Sequence, residues 1–261
     1  MATVRVLVLR APGTNCDRET AFAFESAGAS VDRIHVNQLL SQQTLLSQYQ
    51  VLCVPGGFSY GDDIGAGTIL ASQLRMHLAE NLRTFYESGK LILGICNGFQ
   101  TLLKAGLFSV GQQQLPVTLG LNDSGVFEDR WVDLEVVAEH SVFLKGLQHF
   151  QLPVAHAEGK LLADNKTSVL ALEDSGMVAL RYQCEKSSTG GCGNGYPQNP
   201  NGSWNHIAGL CDVTGRVLGL MPHPERHVDG LQHPRWTRRS AETVEGQGLA
   251  IFRNAVRYWK H

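Results

Sequence analysis

Apolar and polar positions follow one rhythm in the first hundred residues and another after them. Up to about residue 104, short apolar runs alternate with amphipathic stretches. This predicts strands at 4–10, 31–36, 50–54 and 91–95, and helices ending at Gly28, over 69–88 and over 98–104. Asn15 or Asp17 is placed to cap the first helix; Gly28, Gly89 and Gly106 close the three helices, and Pro55-Gly56-Gly57 stops the third strand. The alternation predicts a three-layer α/β fold, a mostly parallel central sheet with helices on both faces. From about 116 to 220 the runs shorten and become β-rich, at 131–137, 150–155, 177–182 and 216–221, as expected of an added antiparallel region or second layer. A last helix over 244–259 sets Leu249, Phe252, Val256 and Trp259 on one face, a core stripe with no cofactor box in it. No repeat or linker divides residues 1–261, which are expected to form one domain; 187–195, rich in Gly and Ser, reads as a loop.

Composition narrows the classes. With 43% hydrophobic residues among 261, the chain can bury a substantial core, and a net charge of −2 provides no basic field for nucleic acid or an anionic membrane. The opening strand-like run has neither a long apolar stretch nor a cleavage site, so a cytosolic protein is expected. Six cysteines without a Cys-x-x-Cys pair then read as thiols.

One of those thiols stands apart. Gly94-Ile95-Cys96-Asn97-Gly98 joins a strand to a helix, and a sharp corner of that kind presents its central side chain at the sheet's carboxyl edge, facing the helix's positive end, where a thiolate is favoured. Cys53 and Cys211, within apolar runs, are expected to be inert. A nucleophile needs a base and the base an orienter. The run 221–227 provides both: prolines at 222 and 224 exclude helix, and in an extended chain His223 and Glu225 project to one side. A metal site of His223, His227 and His233 fits less well, because Pro224 breaks the helical face that a His-x₃-His pair wants, and no metal is expected. For an oxyanion hole, the loop at 54–59 can present the amides of Gly57 or Phe58, with Asn97 beside the nucleophile. Gly65-Ala66-Gly67 lacks the third small residue of a dinucleotide loop, since position 70 is leucine, and no phosphate loop is present.

The Gly-x-Cys-x-Gly-x-Gln frame, the upstream Pro-Gly-Gly and the late His-Pro-Glu together resemble the class I, or triad, glutamine amidotransferases. Segments 13–17, 56–62, 156–160 and 199–203 narrow the resemblance to the separate glutaminase subunits of phosphoribosylformylglycinamidine synthase, from about residue 4 to the final helix. The resemblance implies Cys96 as nucleophile, His223 as proton shuttle and Glu225 as its orienter. It also implies that Gln100 helps hold glutamine and that His156, Ala157 and Glu158 wall the pocket. It implies no cofactor in this chain. ATP and Mg²⁺ are expected on a synthetase partner that uses formylglycinamide ribonucleotide and accepts ammonia, with a small accessory subunit as a further candidate partner. Segments 184–192 and 233–239 match nothing in that pattern. A stand-alone cysteine hydrolase or peptidase with the same triad is the rival reading, and a non-catalytic module the weaker one.

Overall fold

The computed structural model describes residues 3–110, 113–114, 117–163, 166–183, 195–238 and 245–260, so the loop expected at 187–195 falls, except for Gly195, outside the described residues. Strands β1 (Arg5–Arg10), β2 (Ser30–His35), β3 (Val51–Val54) and β4 (Leu91–Ile95) form on the four predicted runs. β3 and β4 are buried at every position, whereas the edge strand β2 is half open, and the residues match: unbroken apolar runs inside, charges at the edge. The later strands are β5 (Ser109–Val110), β6 (Gln113–Gln114), β7 (Val117–Leu121), β8 (Glu128–Val136), β9 (His149–His156), β10 (Glu158–Ala163), β11 (Val178–Tyr182), β12 (Ile207–Cys211) and β13 (Val217–Leu220).

Nine strands share one sheet in the order β2-β1-β3-β4-β13-β12-β11-β8-β9. Pairings from β2 through β13 are parallel and those from β13 to β9 antiparallel. The β-rich second half is therefore an extension of the same sheet; among the described residues the ladders β7–β10 and β5–β6 stand apart.

The helices are α1 (Asp17–Ser26), α2 (Val36–Ser41), α3 (Thr68–His77), α4 (Ala79–Glu87), α5 (Asn97–Lys104), α6 (Lys166–Asp174) and α7 (Leu249–Arg257). α1 connects β1 to β2, and α3 and α4 lie between β3 and β4. α1 packs with α7, where Phe24 and Phe252 meet edge to face at 4.8 Å, and α5 packs with α3 and on β3, β4 and β13. Phe99 of α5 lies where a Cβ on Gly219 of β13 would come within 2.1 Å of its ring, so helix and sheet touch backbone to side chain.

Several boundaries differ from expectation. The helical region at 69–88 is two helices broken at Leu78 (φ −124°, ψ 7°). Cys16, not Asn15 or Asp17, is the N-cap residue of α1, and it makes no side-chain cap bond; Asp17 instead pairs with Arg10 and Arg33 at 2.8 and 3.1 Å. α7 begins after Gly248 and buries Leu249, Phe252 and Val256, while Trp259 lies two residues past its end. The short α2 and α6 and the strands β7, β10 and β12 went unpredicted. Among the described residues no helix is long and apolar enough to cross a membrane.

Candidate active site

Three neighbouring parallel strands deliver the site. β4 lies between β3 and β13, with Val54 opposite Gly94 and Leu220 opposite Ile95, so the chain leaves all three at the same carboxyl edge. The Pro-Gly-Gly loop leaves β3 there, Cys96 stands at the end of β4, and the segment carrying His223 leaves β13.

Cys96 has φ 50° and ψ −107°, a left-handed conformation that costs a non-glycine residue about 1–3 kcal/mol and is kept only where the surroundings impose it. Here they do. The Cys96 amide donates to Leu220 O at 2.8 Å on one side, and its carbonyl accepts from Gln100 at 3.1 Å as α5 begins. The flanking glycines serve close approach: a Cβ on Gly98 would lie 1.8 Å from Val54 O, and one on Gly94 2.8 Å from Gly98 O. The Cys96 thiol is buried, 3.8 Å from Ala155 O.

His223 Nδ1 lies 2.6 Å from Glu225 Oε1, both side chains buried. The pairing comes from a 3-10 turn at Pro224–Arg226 and not from the alternation of an extended strand, which corrects the expected local geometry while keeping the two groups together. Burial opposes charge on His223, but Glu225 and then the Cys96 and Cys16 thiols hold its pKa well above the ordinary value. Its Nε2 is buried and has no hydrogen-bond partner among the described residues. His227 and His233 lie elsewhere, flanking Trp131 at 4.8 and 4.5 Å and reaching Gln151.

Of the three expected oxyanion donors, two have free amides. The N–H groups of Gly57 and Asn97 donate to nothing among the described residues, whereas that of Phe58 is spent on Gly13 O at 3.0 Å. The same N-terminal segment straps the loop further, with Tyr60 N to Pro12 O at 2.7 Å and Cys16 N to Gly56 O at 3.3 Å. A Cβ on Gly57 would meet Asn15 N at 2.7 Å, so the strap fits only glycine there.

Gln100 is a strut. Its Nε2 donates to Glu158 O at 2.6 Å and its Oε1 accepts from Asn97 Nδ2 at 3.2 Å. His156 is buried beside Gly159, whose missing Cβ would touch its ring. Asn122 gives its Nδ2 to the carbonyls of Val126 and His156, so its Oδ1 must accept from His156 Nδ1, which leaves Nε2 a bare acceptor with no partner among the described residues. Burial, then the neighbouring His223, pushes the His156 pKa down to about 3. Ala157 is exposed and takes part through its carbonyl, which accepts from Asn122 N at 2.9 Å. Glu158 Oε2 accepts from Ala66 N at 3.3 Å. The segment around Asn201 buttresses this turn, Asn201 Nδ2 reaching Gly159 O at 2.7 Å.

Residues 3–259 match the family model of the CobB/CobQ-like glutamine amidotransferase domain. The chain belongs to the glutamine amidotransferase family. This amidotransferase is 45% identical to a protein of Dehalococcoides mccartyi named phosphoribosylformylglycinamidine synthase subunit PurQ, over 99% of this chain and 98% of the relative. It is 39% identical to the subunit of the same name from Archaeoglobus fulgidus, over 98% and 97%. Among solved structures it resembles a chain in the structure of PurLQS from Thermotoga maritima, with a TM-score of 0.73 and 30% identity over 98% of this chain and 99% of that one. A glutamine amidotransferase of the same organism, 15% identical with a TM-score of 0.54, shares the fold.

Sequence reading missed several residues of the amidotransferase that surround the site. Cys16 is buried against His223 and Arg226, whose Nη2 reaches its sulfur at 3.3 Å; burial pushes the thiol up to about 11. Cys16, His223 and Glu225 bring one ligand atom each to within 4.8 Å of one another; within the group His223 Nδ1 is bonded to Glu225 Oε1, and the Arg226 guanidinium lies against the Cys16 sulfur. Asp62 and Asn122 were missed because they act across 35 and 34 residues of chain, where no local pattern marks them.

Proposed function

We propose that this amidotransferase hydrolyses L-glutamine to glutamate and delivers the ammonia to a synthetase that converts formylglycinamide ribonucleotide to formylglycinamidine ribonucleotide in purine synthesis. The observation that carries the reading is the strained Cys96 corner set beside an imidazole held by Glu225, in a chain whose full length matches PurQ subunits. Cys96 Sγ attacks the side-chain carboxamide carbon; the developing oxyanion meets the amides of Gly57 and Asn97; His223 passes the proton to the leaving nitrogen, and ammonia departs from a thioester. Water, deprotonated by His223, then attacks the thioester and releases glutamate and the thiol. The neutral His156 Nε2, a buried acceptor, suits a hydrogen-bond donor of glutamine, and Gln100 keeps the 156–159 turn in place.

Synthetase chemistry requires ATP and Mg²⁺, which we assign to the partner, since this sequence carries no phosphate loop. The partner must cover the sheet's carboxyl edge to capture ammonia before water protonates it. That rim is apolar: Phe58 and Phe127 are 45% and 48% exposed with rings 6.4 Å apart, and Ile64 is 69% exposed. We place the reaction in the cytosol, where Cys96 stays reduced; the described cysteines are free thiols. The test is steady-state glutamate formation from glutamine. Synthetase with ATP and its ribonucleotide is expected to raise the rate at least tenfold, and a free chain that already runs at full rate, indifferent to the synthetase, would favour the stand-alone hydrolase.

A further inference from the structure

Asp62 sits in a backbone that has been forced. Tyr60 and Asp62 both take left-handed conformations, φ 57° and 56°, in a turn held by Gly61 N to Phe58 O at 2.8 Å, Gly65 N to Asp62 O at 2.9 Å and Tyr60 Oη to Gln73 at 2.9 Å. The result is to turn the Asp62 carboxylate inward, onto the side chain of the residue after the nucleophile. Its Oδ1 accepts from Asn97 Nδ2 at 2.9 Å and from Gly67 N at 3.2 Å.

The Asn97 amide is thereby oriented. Both hydrogens of Nδ2 go to oxygens, those of Asp62 and Gln100, so Oδ1 faces the other way and accepts from Ser59 N at 3.2 Å. That bond ties α5, whose first amide belongs to Asn97, to the loop two residues beyond Gly57. One side chain thus spans the two segments that supply the oxyanion donors. A flipped Asn97 would set its NH₂ against the Ser59 N–H, donor against donor, and release the loop. Only an acceptor without hydrogens of its own forbids the flip at every moment, and an ionised carboxylate is such a group.

We propose that Asp62 is the positioning residue of the oxyanion hole, acting through Asn97 to fix the spacing between the Gly57 and Asn97 amides. The inference rests on the reading of Cys96 as nucleophile. Among the described residues the Asp62 carboxylate bonds to Asn97 and Gly67 and not to the Cys96 thiol, so its effect is expected in the transition state, where negative oxygen develops, and not in substrate binding. Half-burial raises the Asp62 pKa, with the bonds from Gly67 and Asn97 opposing; Glu158 and Lys104 are the other charged groups near it.

The test uses the full chain with its synthetase. Asp62→Gly removes the carboxylate without straining a left-handed position, and Asp62→Asn keeps an oxygen and tolerates the same φ. For Asp62→Gly, kcat is expected to fall at least tenfold with KM within about threefold, while Asp62→Asn, whose amide can present an oxygen but also hydrogens, recovers only part of the loss. Alkylation of Cys96 by iodoacetamide, a displacement that develops no oxyanion, should proceed within about threefold of the wild-type rate in Asp62→Gly. Asn97→Ala should reproduce the loss, and the double variant should be no slower than Asn97→Ala alone. An unchanged kcat in Asp62→Gly, a parallel fall in alkylation, or additive losses in the double variant would each overturn the proposal. Wild-type protein that releases no glutamate, or Cys96→Ala that still does, would sink the nucleophile assignment itself, an outcome separate from these.

Discussion

His223 and His156 are buried imidazoles of opposite character. Glu225 and two thiols favour a proton on the first; burial and the nearby His223 keep the second neutral. Removing a proton shuttle costs more than removing its orienter, so His223→Ala is expected to lose on the order of 10⁴-fold or more in glutaminase kcat and Glu225→Gln distinctly less. Steady-state kinetics of the two variants and of His227→Ala check this; a dead His227→Ala beside a normal His223→Ala would move the base elsewhere. His156 makes a stability prediction. Unfolded, it titrates near 6.5, and folded near 3, so between those values the unfolded chain binds more protons and stability falls as pH falls. The limiting slope is about 1.4 kcal/mol per pH unit, and nothing more is lost below about pH 3. Urea denaturation at pH 6.5 and 5.5 should therefore show a smaller loss in His156→Gln than in wild type; equal losses would mean that His156 is protonated in the folded chain.

At the scale of elements, the β4–α5 corner was legible because its constraint is local. Glycines two before and two after a cysteine, between a strand pattern and a helix pattern, announce a tight approach, and the structure supplies the surface approached, Val54 O of the next strand. Adding a methyl group there forces β3 and α5 apart. Gly98→Ala is expected to destabilise the fold by about 3 kcal/mol and to lower activity with it, measured by thermal unfolding and glutamate release. A variant with wild-type melting would mean that the corner has slack. What stayed illegible was tertiary in origin. The break at Leu78 has no glycine or proline to mark it. The six residues of α2 leave too few turns for a periodic signal, and the β-rich runs left open whether they extend the parallel sheet or form a second layer. His223 and Glu225 were found as a pair for a reason that proved different, a turn in place of an extended run.

Taken whole, the molecule keeps its chemistry at one edge and exposes apolar side chains around it. Phe127 lies on that rim, against Phe58, and has no bond to the triad. Phe127→Ser is expected to leave the free chain's melting temperature unchanged and its basal glutaminase rate within about twofold, yet to weaken binding of the synthetase at least tenfold, as loss of an interface aromatic anchor does. Titration calorimetry with the synthetase measures it, and unaltered affinity would put the docking surface elsewhere.

The order of strands also sets a timetable for the protein's birth. β13 is the last strand of the sheet in the chain, yet it lies in its middle, between β4 and β12. Until the chain has been made past residue 223, β4 lacks its β13 neighbour and Cys96 lacks the imidazole of His223. The sheet is complete only with that late strand between β4 and β12, and His223 follows it in the chain. On the proposed mechanism, a chain truncated before His223 carries the thiol without its base and is expected to release no glutamate from glutamine.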